Sequence, residues 1–308
     1  MTTLIATSVV RGSHQGESHG GVFLVDFTLQ SVRQVIDWDS ADIDWQGRGW
    51  DRGRRGIAFD GERVFIAASN ELFVYTPDFR LLASYRNPYL QHCHEIAVHQ
   101  RRLYLTSTGF DAVLGFDLDE NRFCFGLHVV AVGRRFQGSP FDPLRDSGPA
   151  PGNLLHLNNV YCDASGMYLS GLKTGALIRF DGRTVQRAAE LPRGLHNARP
   201  FGDGVLFNDT ASDRLRVVWP DREISFAVPQ LDPAQLTHTD LDDSRIARAG
   251  FARGLCVIDN TVVAAGSSPS TIALHDISRA ATCSVVTISH DIRNAIHGLE
   301  VWPFDQPG

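Results

Sequence analysis

Three histidines occupy the same position of a pattern that recurs along the chain. They are His94, His196 and His297, and each opens a short run of strand-forming residues. Neutral imidazole is the commonest metal ligand in proteins, and three of them leave coordination positions open for water or substrate. His156 and His92, each two residues before the same position of a repeat, are candidates for a fourth ligand or for a partner that orients one. The pattern therefore predicts a site for one divalent metal ion, held by His94, His196, His297 and His156.

The metal could support two kinds of chemistry. Iron(II) or copper, the favoured ions, would bind dioxygen at the open positions, whereas zinc, manganese or calcium would lower the pKa of bound water. The first hypothesis is a non-haem iron(II) or copper oxidoreductase or oxygenase. The alternatives are a redox-neutral metal-dependent hydrolase, lyase or isomerase, and a non-catalytic module that binds a peptide or partner.

Two arginines alternate with the histidines and indicate an anionic substrate. Arg55 and Arg253 fill the histidine position in other repeats. Because the planar guanidinium fork suits carboxylate or phosphate, we predict that both hold a small carboxylate-bearing substrate at the catalytic centre. In the alternative they pair with Glu95, Glu300 or loop aspartates. Glu95 itself is predicted to orient a histidine or to act as a general base.

Further polar residues complete the predicted substrate site. The position after the histidine column contains glycine in some repeats and a polar residue in others. The predicted substrate-binding residues beyond the two arginines are Asn158, Asn159, Asn197, Trp50 and Arg52.

The elements that position these residues are short strands separated by Gly, Asp, Asn and Pro turns. Helical periodicity is almost absent, which predicts an all-β chain. Four-stranded units recur at 55–85, 94–127, 158–191, 196–228 and 253–288. A sixth unit is divided between the ends of the chain, because 296–303 matches a first strand and 2–38 supplies the other three. We predict a single six-bladed β-propeller domain over 1–308, closed by pairing of the C-terminal strand with the N-terminal strands.

Three long connections join an outermost strand to the next innermost strand. They are 39–54, 128–155 and 229–252. All are predicted to emerge on the face where the histidine column begins, and long loops in compact domains commonly bind ligands.

Composition limits the partners. The net charge of −6 without a basic run argues against nucleic acid. No apolar run approaches the roughly 20 residues of a membrane helix, and the N-terminus lacks signal-peptide features. Five cysteines without a CxxC pair do not suggest a disulfide framework. We therefore predict a cytoplasmic protein with a small-molecule anionic substrate and neither nucleic-acid nor membrane partners.

In architecture, the repeated units resemble the six-bladed propellers of the gluconolactonase/strictosidine-synthase-like superfamily. Those enzymes hold a divalent cation with carboxylate and asparagine ligands, and the resemblance implies suitable places for Asn158, Asn159 and Asn197. Here histidines stand where acids are expected. The predicted histidine ligands are more similar to those of the carotenoid-cleavage oxygenases than to those of this superfamily. Streptogramin lyases are a further propeller family that uses histidine.

Overall fold

The computed structural model describes residues 2–14, 16–39, 53–240 and 248–305. Most of the regular structure in these ranges is β-strand. Within them helix is limited to two short 3₁₀ segments, Thr108–Phe110 and Pro233–Gln235. None of the helical segments described is long and apolar enough to cross a membrane.

Six antiparallel sheets of four or five strands make up the fold, and we name them blades 1 to 6. Blade 1 contains, in sheet order, Asn294–Val301, Thr3–Val10, Gly21–Asp26 and Ser31–Asp37. Blade 2 contains Ile57–Asp60, Arg63–Ala68, Glu71–Tyr75 and Leu81–Arg86. Blade 3 contains Ile96–His99, Arg102–Ser107, Ala112–Asp117, Arg122–Val132 and Arg135–Phe141.

The last three blades follow the same order. Blade 4 contains Leu157–Asp163, Gly166–Gly171, Ala176–Phe180 and Val185–Glu190. Blade 5 contains His196–Phe201, Gly204–Asp209, Arg214–Val218 and Glu223–Ala227. Blade 6 contains Leu255–Val257, Val262–Ser267, Thr271–Asp276 and Ala281–Thr287.

Blade 1 joins the two ends of the chain. Its first strand, Asn294–Val301, pairs antiparallel with Thr3–Val10, in a register that sets Val301 opposite Leu4 and Asn294 opposite Val10. This pairing removes an open edge that would otherwise expose backbone donors and acceptors. The number of sheets, their strand order and this pairing are those of a six-bladed β-propeller. The predicted all-β fold class and its closure are therefore confirmed.

Contacts divide the chain into two compact units. Unit 1 is Met1–Arg55 with Asn208–Gly308, and unit 2 is Gly56–Phe207. Unit 1 thus holds blades 1 and 6 with the outer part of blade 5, and unit 2 holds blades 2 to 4 with the inner part of blade 5. The prediction of one domain over 1–308 stays a prediction.

Strand position within a blade decides how apolar the strand is. The second strand of blade 2, Arg63–Ala68, is buried along nearly its whole length, whereas the outer strand Leu81–Arg86 is mostly exposed. Inner strands are covered on both faces, so they are near-continuous apolar runs. Phe65, Leu103 and Phe116 are fully buried in the largest cluster of unit 2, and each such side chain stabilises the fold by about 1.5–3 kcal/mol.

One predicted connection is partly wrong. Residues 128–141 were expected in a loop, but Arg122–Val132 continues past His128 and pairs with Arg135–Phe141 as a fifth strand of blade 3. Gly133 has φ +61° and lies in the tight turn of this extra hairpin. Residues 142–156 contain no strand. The other two long connections fall partly outside the described residues.

A buried histidine makes the stability of unit 1 depend on pH. His275 is 2% exposed, its ring centre lies 4.5 Å from that of Phe226, and its Nδ1 lies 3.0 Å from Thr282 Oγ1. Burial lowers the pKa of His275 to about 4, below the unfolded value of about 6.5. As the pH falls from 6.5 towards 4, His275 takes up a proton in the unfolded chain before it does so in the folded one. Protonation therefore favours the unfolded chain, and the stability of the fold decreases across this pH range.

We therefore expect acidification from pH 7 to pH 4 to lower the free energy of unfolding by up to about 3 kcal/mol through this one residue. Denaturant unfolding across that range is the measurement. His275→Leu should flatten the pH dependence, whereas the exposed His290→Gln should leave it as in the wild type. An unchanged slope in His275→Leu would show that other groups cause it.

Candidate functional site

Where the innermost strands of unit 1 begin, their backbones lie in close contact. A Cβ atom on Gly298 would lie 2.2 Å from the carbonyl oxygen of Arg55, and one on Gly254 would lie 3.1 Å from that of His297. Thr7 Oγ1 accepts from Gly298 N at 2.8 Å and donates to the Arg55 carbonyl. Three residues of the predicted column, Arg253, His297 and Arg55, therefore belong to adjoining chain segments in this unit.

Side chains of blade 5 fix the backbone around Arg253. Asn208 Nδ2 donates to the carbonyl of Gly254 at 3.0 Å, and Thr210 Oγ1 donates to that of Ala252 at 2.7 Å. Both residues are buried. The two carbonyls flank Arg253, so its Cα is held on both sides.

Arg253 is bonded to the histidine predicted as a metal ligand. Its Nη1 lies 2.8 Å from His297 Nε2, with both residues buried. A guanidinium group only donates hydrogen bonds and stays protonated, so Nε2 must accept and the ring proton must be on Nδ1. His297 is therefore neutral here, and the lone pair that would bind a metal is directed at a cation.

Several arginines surround one phenylalanine in unit 1. The guanidinium carbons of Arg253, Arg11 and Arg248 lie 4.6, 4.8 and 5.2 Å from the centre of the Phe251 ring. Arg248 is neutralised by Asp213 in an ion pair of 2.6 Å. We call Arg11, Phe251, Arg253 and His297 the arginine site. Arg11 and Phe251 were not predicted, because they lie in connections outside the repeated strands.

Arg55 is the other predicted anion-binding arginine. Its side chain is fully buried at 0% exposure. Its position is fixed through the carbonyl that Thr7 contacts. Its role in substrate binding stays a prediction.

In unit 2, backbone geometry sets the orientation of His94. His92 has φ +57°, in the left-handed region that non-glycine residues rarely adopt. Its carbonyl lies 2.7 Å from His94 Nδ1, and Thr108 Oγ1 lies 3.0 Å from the same atom. Thr108 donates its own proton to the carbonyl of Leu157. Both neighbours of Nδ1 therefore accept, so Nδ1 carries a proton, and Nε2 is the ring nitrogen that can gain or lose one.

Glu95 links blades that are not adjacent. Its Oε2 accepts from Asn197 Nδ2 at 2.7 Å, although blade 4 lies between these residues in sequence. Blade 4 in turn bonds to blade 3 through Thr108 and to blade 5 through Asn159. The innermost strands of blades 3, 4 and 5 therefore begin close together, with half-buried Glu95 among them.

The predicted asparagines of blade 4 bridge to blade 5. Asn159 Nδ2 donates to the carbonyl of Ala198 at 2.6 Å, and Asn158 Nδ2 donates to that of Leu195 at 3.2 Å. Asn158 is 2% exposed, and its Oδ1 has no hydrogen-bond partner among the described residues. A buried acceptor without a donor costs free energy unless a ligand or water supplies one. Substrate binding by Asn158, Asn159 and Asn197 stays a prediction, and the interblade bonds give each a structural role.

His156 lies beside His94. Their ring centres are 5.6 Å apart in an edge-to-face arrangement, and His156 Nδ1 is 3.0 Å from Asn153 Oδ1. We call His94, Glu95, His156, Asn158 and Asn197 the histidine site. All belong to unit 2.

The three-histidine metal site stays a prediction. Among the described residues, no group of three or more His, Cys, Asp or Glu side chains is arranged to hold a metal ion. The Nε2 of His297 is engaged by Arg253, and a fixed guanidinium charge beside it disfavours a cation. His196 is buried in blade 5, next to Asn197. Trp50 and Arg52 lie outside the described residues.

Comparison with known proteins supports the fold alone. No protein-family model matches the chain, and no curated protein is significantly similar to it. A structure of the nidogen/laminin complex matches 99% of this chain and 100% of its own, at 12% identity and a TM-score of 0.57.

Two further solved structures are less similar. A catalytically inactive virginiamycin B lyase from Staphylococcus aureus with quinupristin matches 77% of this chain and 70% of its own, at 10% identity and a TM-score of 0.46. The RRP9 WD40 repeats match 78% and 65%, at 10% identity and a TM-score of 0.49. Similarities this low support no inference from either protein to this one.

Proposed function

We propose that the protein is a redox-neutral enzyme, of the lyase, isomerase or hydrolase type, that acts on a small carboxylate-bearing substrate with His94 as general base. The observation that carries the proposal is the pair of acceptors at His94 Nδ1, the carbonyl of His92 and the hydroxyl of Thr108. With Nδ1 as the donor, Nε2 is the atom that would take up and release a proton. A histidine in this state suits proton transfer near neutral pH.

The surroundings of His94 support this role. The ring is 7% exposed, so its orientation is set by packing and hydrogen bonds. His156 contacts it edge to face, which limits rotation of both rings. In the reaction, Nε2 would take a proton from the substrate and form an imidazolium, whose charge the carbonyl of His92 and nearby Glu95 would stabilise. The proton then returns to the product or to water.

Asn158 supplies a place for a donor group of the substrate. Its Oδ1 is buried, and its Nδ2 is fixed on the carbonyl of Leu195. A substrate hydroxyl or N–H would satisfy this acceptor. A ligand without such a donor would leave Asn158 Oδ1 buried and unpaired, and it would bind more weakly. Asn158 would therefore contribute to specificity.

A metal-dependent oxidoreductase receives less support than the redox-neutral enzyme. A cofactor such as iron(II), copper or zinc needs a ligand set, and His297, the third predicted ligand, is bonded through Nε2 to Arg253. The non-catalytic module remains an alternative, and it predicts that ligands bind without being converted.

The three candidate functions can be separated by one experiment. Chelator-treated protein without a histidine tag is incubated, with dioxygen removed, with a panel of small hydroxy-, amino- and unsaturated carboxylates, and conversion is followed by proton NMR. We expect conversion of at least one compound without metal or oxidant. Conversion that requires added metal or dioxygen would support the oxidoreductase instead, and binding without conversion across the panel would support the non-catalytic module.

A further inference from the structure

We infer that Arg199 binds the carboxylate of the substrate beside the histidine site of unit 2, and that Tyr161 positions its guanidinium group. Arg199 lies in the innermost strand of blade 5, His196–Phe201, and Tyr161 lies in that of blade 4, Leu157–Asp163. The inference deepens the proposed function, on which it rests for the identity of the carboxylate compound as the substrate. Carboxylate binding itself does not depend on turnover and can be measured alone.

The hydrogen-bond donors of Arg199 are not used within the part of the chain that the structure describes. A guanidinium group carries five N–H donors and a permanent positive charge. Arg199 is half-buried, yet none of the described residues accepts a hydrogen bond from it or forms an ion pair with it. Its Nε is buried without an acceptor. An anion with two acceptor oxygens would offset the free energy that these unpaired donors cost.

Packing fixes Arg199 before a ligand binds. The guanidinium carbon lies 3.9 Å from the centre of the Tyr161 ring, and Tyr161 packs in turn against Tyr168, with ring centres 6.3 Å apart. The residue before Arg199, Ala198, is fully buried, and its carbonyl accepts from Asn159 Nδ2 at 2.6 Å. A planar guanidinium held on one face keeps its edges available to a ligand. Pre-organisation of this kind reduces the ordering cost of binding.

The position of Arg199 along its strand brings it close to the histidine site. Arg199 follows Asn197 by two residues, which is a rise of about 6–7 Å in a β-strand. Asn197 Nδ2 donates to Glu95 Oε2 at 2.7 Å, and Glu95 is the residue after His94. A substrate of a few carbon atoms can therefore span from Arg199 to the groups around His94.

The charge and shape of the guanidinium group favour carboxylate over phosphate. Arg199 brings one positive charge and a planar fork, which match the single charge and the two oxygens of a carboxylate. Inorganic phosphate near neutral pH carries between one and two negative charges, which is more than one guanidinium group balances.

Isothermal titration calorimetry with acetate, succinate and inorganic phosphate, at constant ionic strength, tests the inference. We expect a carboxylate to bind the wild type more tightly than phosphate does. Arg199→Lys keeps the charge but loses the fork, so carboxylate affinity should fall about 10- to 100-fold. Arg222→Lys is the matched control and should bind as the wild type does. Arg222 also lies over an aromatic ring, 4.5 Å from the centre of Trp219, but it is exposed and belongs to unit 1.

Two variants of Tyr161 test the positioning role. Tyr161→Phe keeps the ring beneath the guanidinium and should keep carboxylate affinity within a few-fold. Tyr161→Leu removes the ring and should weaken binding about 2- to 30-fold. Equal affinity in Tyr161→Leu and Tyr161→Phe would overturn the positioning role of the ring.

Denaturant unfolding separates ligand binding from a structural role of Arg199. Because none of the described acids pairs with this arginine, Arg199→Lys should unfold at the same denaturant concentration as the wild type. A loss of stability in Arg199→Lys without a change in carboxylate affinity would overturn the inference. So would the absence of carboxylate binding in the wild type, a preference for phosphate, or equal affinity in Arg199→Lys.

Steady-state kinetics separates this inference from the proposed function. On a compound that the wild type converts, Arg199→Lys should raise KM much more than it lowers kcat. Turnover with an unchanged KM in Arg199→Lys would refute the role of Arg199 alone. Carboxylate binding that is lost in Arg199→Lys, without turnover of any compound by the wild type, would refute the proposed function alone.

Discussion

Replacing His94 with alanine is expected to lower kcat by about 10²- to 10⁴-fold on whichever substrate the wild type converts, which is the usual contribution of a general base. The change removes the lone pair at Nε2. It leaves in place the carbonyl of His92 and the hydroxyl of Thr108 that orient the ring. Because binding of the substrate carboxylate is assigned to other residues, KM should change much less than kcat.

The pH profile distinguishes a base from a structural residue. In the wild type, kcat/KM should rise with pH as the essential base of the free enzyme loses its proton. In His94→Ala this rise should disappear from the residual activity. A variant that merely distorted the site would lower activity at every pH and keep the shape of the profile.

His99→Ala is the matched control, because His99 ends the innermost strand Ile96–His99, which begins two residues after His94. Its kinetic constants should equal those of the wild type. Thr108→Val tests the orientation of His94 separately: it removes one acceptor at Nδ1 and the bond to the carbonyl of Leu157. We expect a smaller loss of kcat for Thr108→Val than for His94→Ala, and the opposite order would contradict the assignment of His94 as the base.

The fold was predictable because it depends on local patterns. Alternation and turn residues define each four-stranded unit, and the split unit at the chain ends predicted the pairing of Asn294–Val301 with Thr3–Val10. The extra hairpin of blade 3 was missed because Gly133, Gly138 and Pro140 are typical of loops as well as of irregular edge strands. Sequence alone does not separate these two cases.

The site was predictable only in part, because chemistry depends on contacts between distant segments. The column of first residues includes Arg253 and His297, but residue type alone could not show that the side chains of these two residues contact each other. Phe251 lies in a connection without repeat register, so no pattern could associate it with Arg11. Likewise, the Nδ1 contact of His94 depends on the left-handed conformation of His92, which residue type alone does not determine.

The glycine at position 298 is expected to be essential for the packing of unit 1. A Cβ there would lie 2.2 Å from the Arg55 carbonyl oxygen and 2.7 Å from Thr7 Oγ1. Both distances are far below van der Waals contact, and the first atom belongs to the backbone, so a rotamer change cannot relieve the overlap. Thr7 also bridges Gly298 N and the Arg55 carbonyl, so any movement that makes room breaks buried hydrogen bonds.

Gly298→Ala should therefore lower the free energy of unfolding by about 1–3 kcal/mol or more, the usual range for overpacking, as measured by denaturant unfolding. Gly152→Ala is the control, because the nearest atom to its added Cβ is 4.0 Å away, and its stability should stay equal or rise slightly. Since Gly298 follows His297, the strain in Gly298→Ala should also disturb the bond between His297 and Arg253. A Gly298→Ala protein as stable as the wild type would mean that the segments carrying His297 and Arg55 lie further apart than the structure has them.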